Sequence, residues 1–179
     1  DLTNLNQMIA YYEGKGDKKM LPEIYYLAGS TYFDLHDSPQ ALDYYHKVLD
    51  NITADDHLRL WGITHAQIGY VMLYQGNYMS AVQHFKESYF VDSIRNDVEG
   101  MIFDLRDLGY SYSSTEKLDS AIFYSHKALQ LSLKIKNSKM ANNARSSLVG
   151  FYLDSRSCNV DSVAKYIYPM LNDVEPEDR

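Results

Sequence analysis

Gly29, Gly69 and Gly109 recur at intervals of 40 residues, and Ala41, Ala81 and Ala121 keep the same interval. Few features restrict a fold so tightly. A recurrence of this length means that one supersecondary unit stacks against copies of itself. Each small residue sits in a matching setting. The glycines fall inside Leu27-Ala28-Gly29-Ser30-Thr31-Tyr32, Gln67-Ile68-Gly69-Tyr70-Val71-Met72 and Asp107-Leu108-Gly109-Tyr110-Ser111-Tyr112. The alanines open Ala41-Leu42-Asp43-Tyr44-Tyr45, Ala81-Val82-Gln83-His84-Phe85 and Ala121-Ile122-Phe123-Tyr124-Ser125. Two helices folded into a hairpin need a residue with little side chain where their axes come nearest. A large residue three or four positions on then fills the next layer.

Polar and turn-forming segments punctuate this pattern, among them Gly14-Lys15-Gly16-Asp17, His36-Asp37-Ser38-Pro39, Gln75-Gly76-Asn77, Arg95-Asn96-Asp97, Ser114-Thr115-Glu116 and Lys136-Asn137-Ser138. Between them apolar residues return at helical spacing, as in Leu105, Leu108 and Tyr112. The spacing predicts an all-α chain of about nine antiparallel helices, over 2–13, 19–36, 38–51, 57–75, 78–94, 98–114, 118–135, 138–155 and 160–172. Asp37 or Ser38 and Asn77 are expected to cap helix starts, and Asp55-Asp56-His57 reads as a capping turn.

One period back from Ala41, Leu5, Met8 and Ile9 match Tyr45, Val48 and Leu49, so the first helix is the second half of a repeat. The expected division is a half repeat at 1–16, full repeats at 17–56, 57–96 and 97–136, and a degenerate repeat at 137–172. These form one solenoid domain, 1–172, followed by an acidic tail at 173–179. In the degenerate copy an insertion near Ser157-Cys158-Asn159 offsets the second helix.

Composition narrows the function classes. Apolar residues make up 45% and charged residues 23%, which separates the chain from disordered sequences. The 17 tyrosines suit positions that are half buried and half wet. Charge is −7, and Lys15, Lys18 and Lys19 form the only local basic cluster, so no nucleic-acid partner is expected. No apolar run approaches a membrane span, so no membrane contact by this segment is expected. The chain opens at Asp1 and reads as a processed chain or an excised segment, which leaves the compartment open.

Catalytic and metal readings fare poorly, and no cofactor is expected. The six histidines (His36, His46, His57, His65, His84 and His126) show no paired spacing for a metal. Ser125 and His126 are neighbours on one helix, so their side chains diverge. Cys158 is the single cysteine and reads as an idle thiol beside Arg156. Gly14-Lys15-Gly16 lacks the third glycine of a phosphate cradle. A non-enzyme is expected.

The recurring Gly29, Tyr32, Ala41 and Tyr45, repeated as Gly69, Met72, Ala81 and Phe85 and again as Gly109, Tyr112 and Ala121, resemble the tetratricopeptide (TPR) pattern. The third copy departs at Ser125, where Tyr124 is expected to take over the aromatic role. The period also exceeds the common 34 residues. The texture is similar to long-repeat TPR arrays of bacterial regulators and adaptors. The resemblance implies a right-handed α–α superhelix whose first helices line a concave groove. It places Tyr26, Ser30, Phe33, Ile63, Gln67, Tyr70, Tyr74, Phe103, Arg106, Tyr110 and Asn143 in that groove, facing a protein or peptide segment. The Lys, Asn and Arg clamp that grips chaperone C-termini is missing. The resulting expectation is a non-catalytic binding module, a scaffold or the sensing part of a larger bacterial regulator. The alternative is a peptide-responsive receptor whose output domain lies outside this chain. A third reading is weak end-to-end self-association through the interrupted ends.

Overall fold

The computed structural model describes residues 2–16, 19–154 and 160–172. Among the described residues there are nine helices and no strand: α1 (Leu2–Lys15), α2 (Leu21–Asp34), α3 (Ser38–Asn51), α4 (Leu58–Tyr74), α5 (Tyr78–Arg95), α6 (Val98–Ser113), α7 (Leu118–Lys134), α8 (Ser138–Asp154) and α9 (Val160–Asn172). They fall into two compact units, Asp1–Arg95 and Asn96–Arg179, and within each unit consecutive helices pack as in a helical solenoid. In the first, α2 pairs with α3 and α4 with α5, while α1 covers α2 and α2 touches α4. In the second, α6 pairs with α7, α7 with α8 and α8 with α9, and α6 touches α8.

The recurrent glycines do what the spacing predicts. A Cβ on Gly29 would lie 2.6 Å from the Tyr45 ring, and one on Gly69 would lie 2.8 Å from the Phe85 ring. Both rings are fully buried, as are Ala41, Ala81 and Ala121. On Gly109 a Cβ would meet Ser125 Oγ at 2.8 Å and the Ala121 carbonyl at 3.4 Å. Ser125 therefore suits the third copy because its hairpin closes on a smaller residue. Gly62 is a further close approach, with Val91 Cγ1 2.6 Å from where its Cβ would stand.

Tyr124 does not replace the missing aromatic. It stacks on Tyr112 at 5.3 Å and 4°, as Tyr44 stacks on Tyr32 at 5.5 Å and 9°. Tyr152 and Tyr166 stack likewise at 5.9 Å and 9°. Their sequence separation is 14 residues where the earlier pairs have 12, which measures the offset that the sequence suggests for the last repeat. Cys158 and the tail at 173–179 lie outside the described residues.

The turns also keep the 40-residue beat, in a way that composition hides. His36, Gly76 and Glu116 all adopt left-handed backbone, with φ of 61°, 73° and 59°, and Asn96 and Lys136 do so at 55° and 57°. Gly76 N–H donates to the Leu73 carbonyl and Asn77 N–H to that of Met72, and the same pair of bonds closes α2, α6 and α7. This is the Schellman arrangement. The next residue then starts the following helix: Asp37, Asp97 and Asn137 accept from the backbone N–H groups of Gln40, Gly100 and Met140 at 3.2, 3.0 and 3.1 Å. At α4 the capping expectation fails. His57 precedes the helix without a side-chain cap, and Asp56 instead accepts from the Thr53 hydroxyl at 2.9 Å.

Left-handed backbone costs an L-residue about 1–2 kcal/mol, and glycine escapes that cost. Open space surrounds Gly76, so no steric term confuses a test there. Gly76→Ala should lose about 1 kcal/mol, while Glu116→Gly should gain about 0.5–1 kcal/mol once the greater entropy of an unfolded glycine is subtracted. Urea denaturation of both variants checks the pair. Equal signs would contradict the argument.

Candidate protein-binding surface

The residues expected in a groove divide into two groups with different surroundings. On α2, Tyr26, Ser30 and Phe33 follow one another at four- and three-residue steps, and on α4 Ile63, Gln67, Tyr70 and Tyr74 do the same. Each set shares one helix face, and α2 and α4 touch. Most of this face is engaged inside the unit. The buried Tyr45 hydroxyl donates to Ser30 Oγ at 3.3 Å and has Gln67 Oε1 as an alternative acceptor at 3.5 Å. Burial pushes that phenol up to about 12. The Tyr26 ring lies 6.0 Å from that of Tyr45, and Phe33 packs against the same cluster. Ile63 packs on the neighbouring core cluster, and Tyr70 meets Phe85 edge-on at 5.3 Å. Tyr74 alone of this set is largely exposed, at 66%, with its ring stacked against His36.

In the second unit Phe103, Arg106 and Tyr110 share one face of α6, and Asn143 is exposed on α8. Here the helices leave a cleft. Its floor is Ile102, Ala128 and Ala144, and its walls are Phe103, Arg106, Met140 and Asn143. The cleft is shallow and open to solvent, and the room it leaves is about 10 Å³, far short of ordinary small-molecule pockets at about 300–1,000 Å³, so it suits a group resting across it. Arg106 is held in place on two sides. Its Nε donates to the buried Asp107 carboxylate at 2.8 Å, and its guanidinium sits 5.1 Å over the Phe103 ring. Tyr110 is 54% exposed one turn further along α6 and does not line the cleft. Three of the expected residues, Phe103, Arg106 and Asn143, thus converge on an apolar floor.

No group of three or more His, Cys, Asp or Glu among the described residues is arranged around a metal position. Ser125 abuts Gly109, while His126 Nε2 turns to the Tyr166 hydroxyl at 3.1 Å. Two of the histidines nevertheless meet. His65 of α4 and His84 of α5 come together, with their Nδ1 atoms 3.0 Å apart. Their separation of 19 residues fits no single helix face, so spacing alone conceals them. The repeat register reveals them, because one period back they fall on Tyr25 and Tyr44, whose rings lie 6.2 Å apart.

The chain matches no family model and no curated protein. Solved structures share its fold. BtubC (BKLC) from P. vanneervenii superposes with a TM-score of 0.73 at 16% identity, over 89% of this chain and 67% of that one. A Signal Transduction ATPase with Numerous Domains (STAND) protein with a tetratricopeptide repeat sensor, from Pyrococcus horikoshii, superposes with a TM-score of 0.56 at 16% identity. The match takes in 99% of this chain and 33% of that protein, so the chain spans about a third of its length. At such identities the likeness is one of fold.

Proposed function

We propose that this chain is a non-catalytic, TPR-type module that binds a protein or peptide segment at the α6–α8 cleft. The observation that carries the reading is the convergence of Phe103, Arg106 and Asn143 around the floor of Ile102, Ala128 and Ala144. An apolar side chain of the partner rests on this shallow floor, and the guanidinium and amide at its rim pair with backbone or side-chain oxygens beside it. The site is preorganised, because Asp107 and Phe103 already fix Arg106 before any ligand arrives. On this reading Tyr26, Ser30 and Gln67 support the architecture, and Tyr74 and Tyr110 are the exposed aromatics available for additional contacts.

The sensor named in the STAND protein favours one elaboration, in which the module is the sensing part of a larger regulator and its output lies elsewhere. A random peptide-display library panned against the full chain tests the binding reading. Enrichment of sequences with one recurrent apolar anchor is the expected result. Failure to enrich any sequence, or enrichment indifferent to an Ala144→Phe change that fills the cleft floor, would remove the support for this site.

A further inference from the structure

We propose that His65 and His84 form an acid-operated latch that holds α4 against α5 while both rings are neutral and one N–H bridges their Nδ1 atoms, and that it releases the hairpin when a further proton enters. The two Nδ1 atoms at 3.0 Å can hold one N–H···N bond. His65 is 91% buried, and its Nε2 has no hydrogen-bond partner. An orphaned buried N–H costs more than an orphaned acceptor, so the favoured neutral arrangement has His65 Nδ1–H donating to His84 Nδ1. Both routes for a further proton are then blocked. On His65 Nε2 it creates a buried cation with an unsatisfied donor, and on His84 Nδ1 it sets two N–H groups against each other.

The surroundings reinforce this. The Trp61 ring lies 4.9 Å from that of His65 and offers no acceptor in its plane. His46 on α3 disfavours charge on both histidines, and Glu87 on α5 favours it on His84; α2, which also packs on α4, adds no charged group that acts on either ring. Burial is the main cause that brings both rings down to about 4 from their ordinary 6.5. The unfolded hairpin therefore binds more protons than the folded one between those values. The latch is complete above about pH 6.5 and weakens progressively as pH falls toward 4.

The repeat makes this hairpin distinct. Positions 32 and 44, like 112 and 124, hold stacked tyrosines, whereas the second repeat has Met72 and His84 there. Because Gln67 and Tyr70 ride on α4, opening the latch also loosens the contacts they make with the Tyr45 hydroxyl and the Phe85 ring. The latch does not rest on the binding reading.

Hydrogen exchange on the full chain at pH 7 and pH 5, corrected for intrinsic rates, tests it. At pH 5 ordinary carboxylates remain ionised. Amides of α4 and α5 should lose protection at least tenfold more than those of α2 and α3. The double variant His65→Leu/His84→Tyr, which installs the Leu105 and Tyr124 pair of the third repeat, should erase that difference. Equal losses in both hairpins, or a wild-type acid profile in the double variant, would overturn the proposal. Imidazole resonances of the unaltered protein give a reading independent of the variant's folding: His65 and His84 titrating near 6.5 in the folded chain would overturn it too.

Discussion

Gly69→Val should destabilise the protein by about 3 kcal/mol, the upper end of what overpacking a core contact costs. Even a single Cβ at that position would lie 2.8 Å from Phe85 Cε1 and 3.0 Å from two more ring atoms. The Phe85 ring is fully buried and has Tyr70 edge-on against it at 5.3 Å, so it cannot swing aside. The helices must separate instead, and the apolar contacts between α4 and α5 weaken along their length. Helix propensity works the other way: an alanine or valine is a better helix former than glycine by up to about 1 kcal/mol. Gly150 isolates that opposing term, since nothing stands within 4 Å of where its Cβ would be, about one turn before the C-terminal end of α8. Gly150→Ala should accordingly gain about 0.5–1 kcal/mol. Urea denaturation followed by circular dichroism reads both. A neutral Gly69→Val would mean that close helix approach does not fix this hairpin.

Phe103→Ala should weaken a library-selected peptide at least tenfold, about 1.4 kcal/mol, while changing stability by no more than about 0.5 kcal/mol. The ring is 42% exposed, so its removal leaves no core cavity, yet it forms one wall of the cleft and one support of Arg106. Arg106→Lys is the informative partner variant. It keeps the charge near the buried Asp107 carboxylate, which Arg106→Ala would deprive of an ion pair, but it lacks the flat fork that stacks on the ring. An intermediate loss of affinity is expected for lysine. Isothermal titration with the selected peptide measures both. Affinity unchanged by Phe103→Ala would place the ligand somewhere other than this cleft.

The helices were legible because they depend on local signals. Asp37 caps α3 three residues before its acceptor-bound partner Gln40, and the apolar spacing through α4 and α6 needs no knowledge of distant residues. The glycine contacts were legible for a related reason: Gly29 with Tyr45 and Gly69 with Phe85 lie at a constant separation that repetition displays. The candidate site was legible only in part. Choosing one face of each first helix is enough to name Phe103, Arg106 and Asn143, but it names Tyr26, Ser30 and Gln67 by the same rule. Nothing in the period separates a residue that borders an open cleft from one tied to the buried Tyr45 hydroxyl. The left-handed turn residues stayed hidden as well, because only Gly76 advertises a backbone that His36 and Glu116 share without the telltale side chain.

The sequence by itself determined the helical hairpins, their 40-residue register and the points where paired helices touch, since short-range periodicity and small residues encode those directly. The tertiary structure alone decided which equivalent positions lie open and which are spent on packing. Those outcomes depend on how volumes from several helices fill one space, and a period records position along the chain but not the room left between helices.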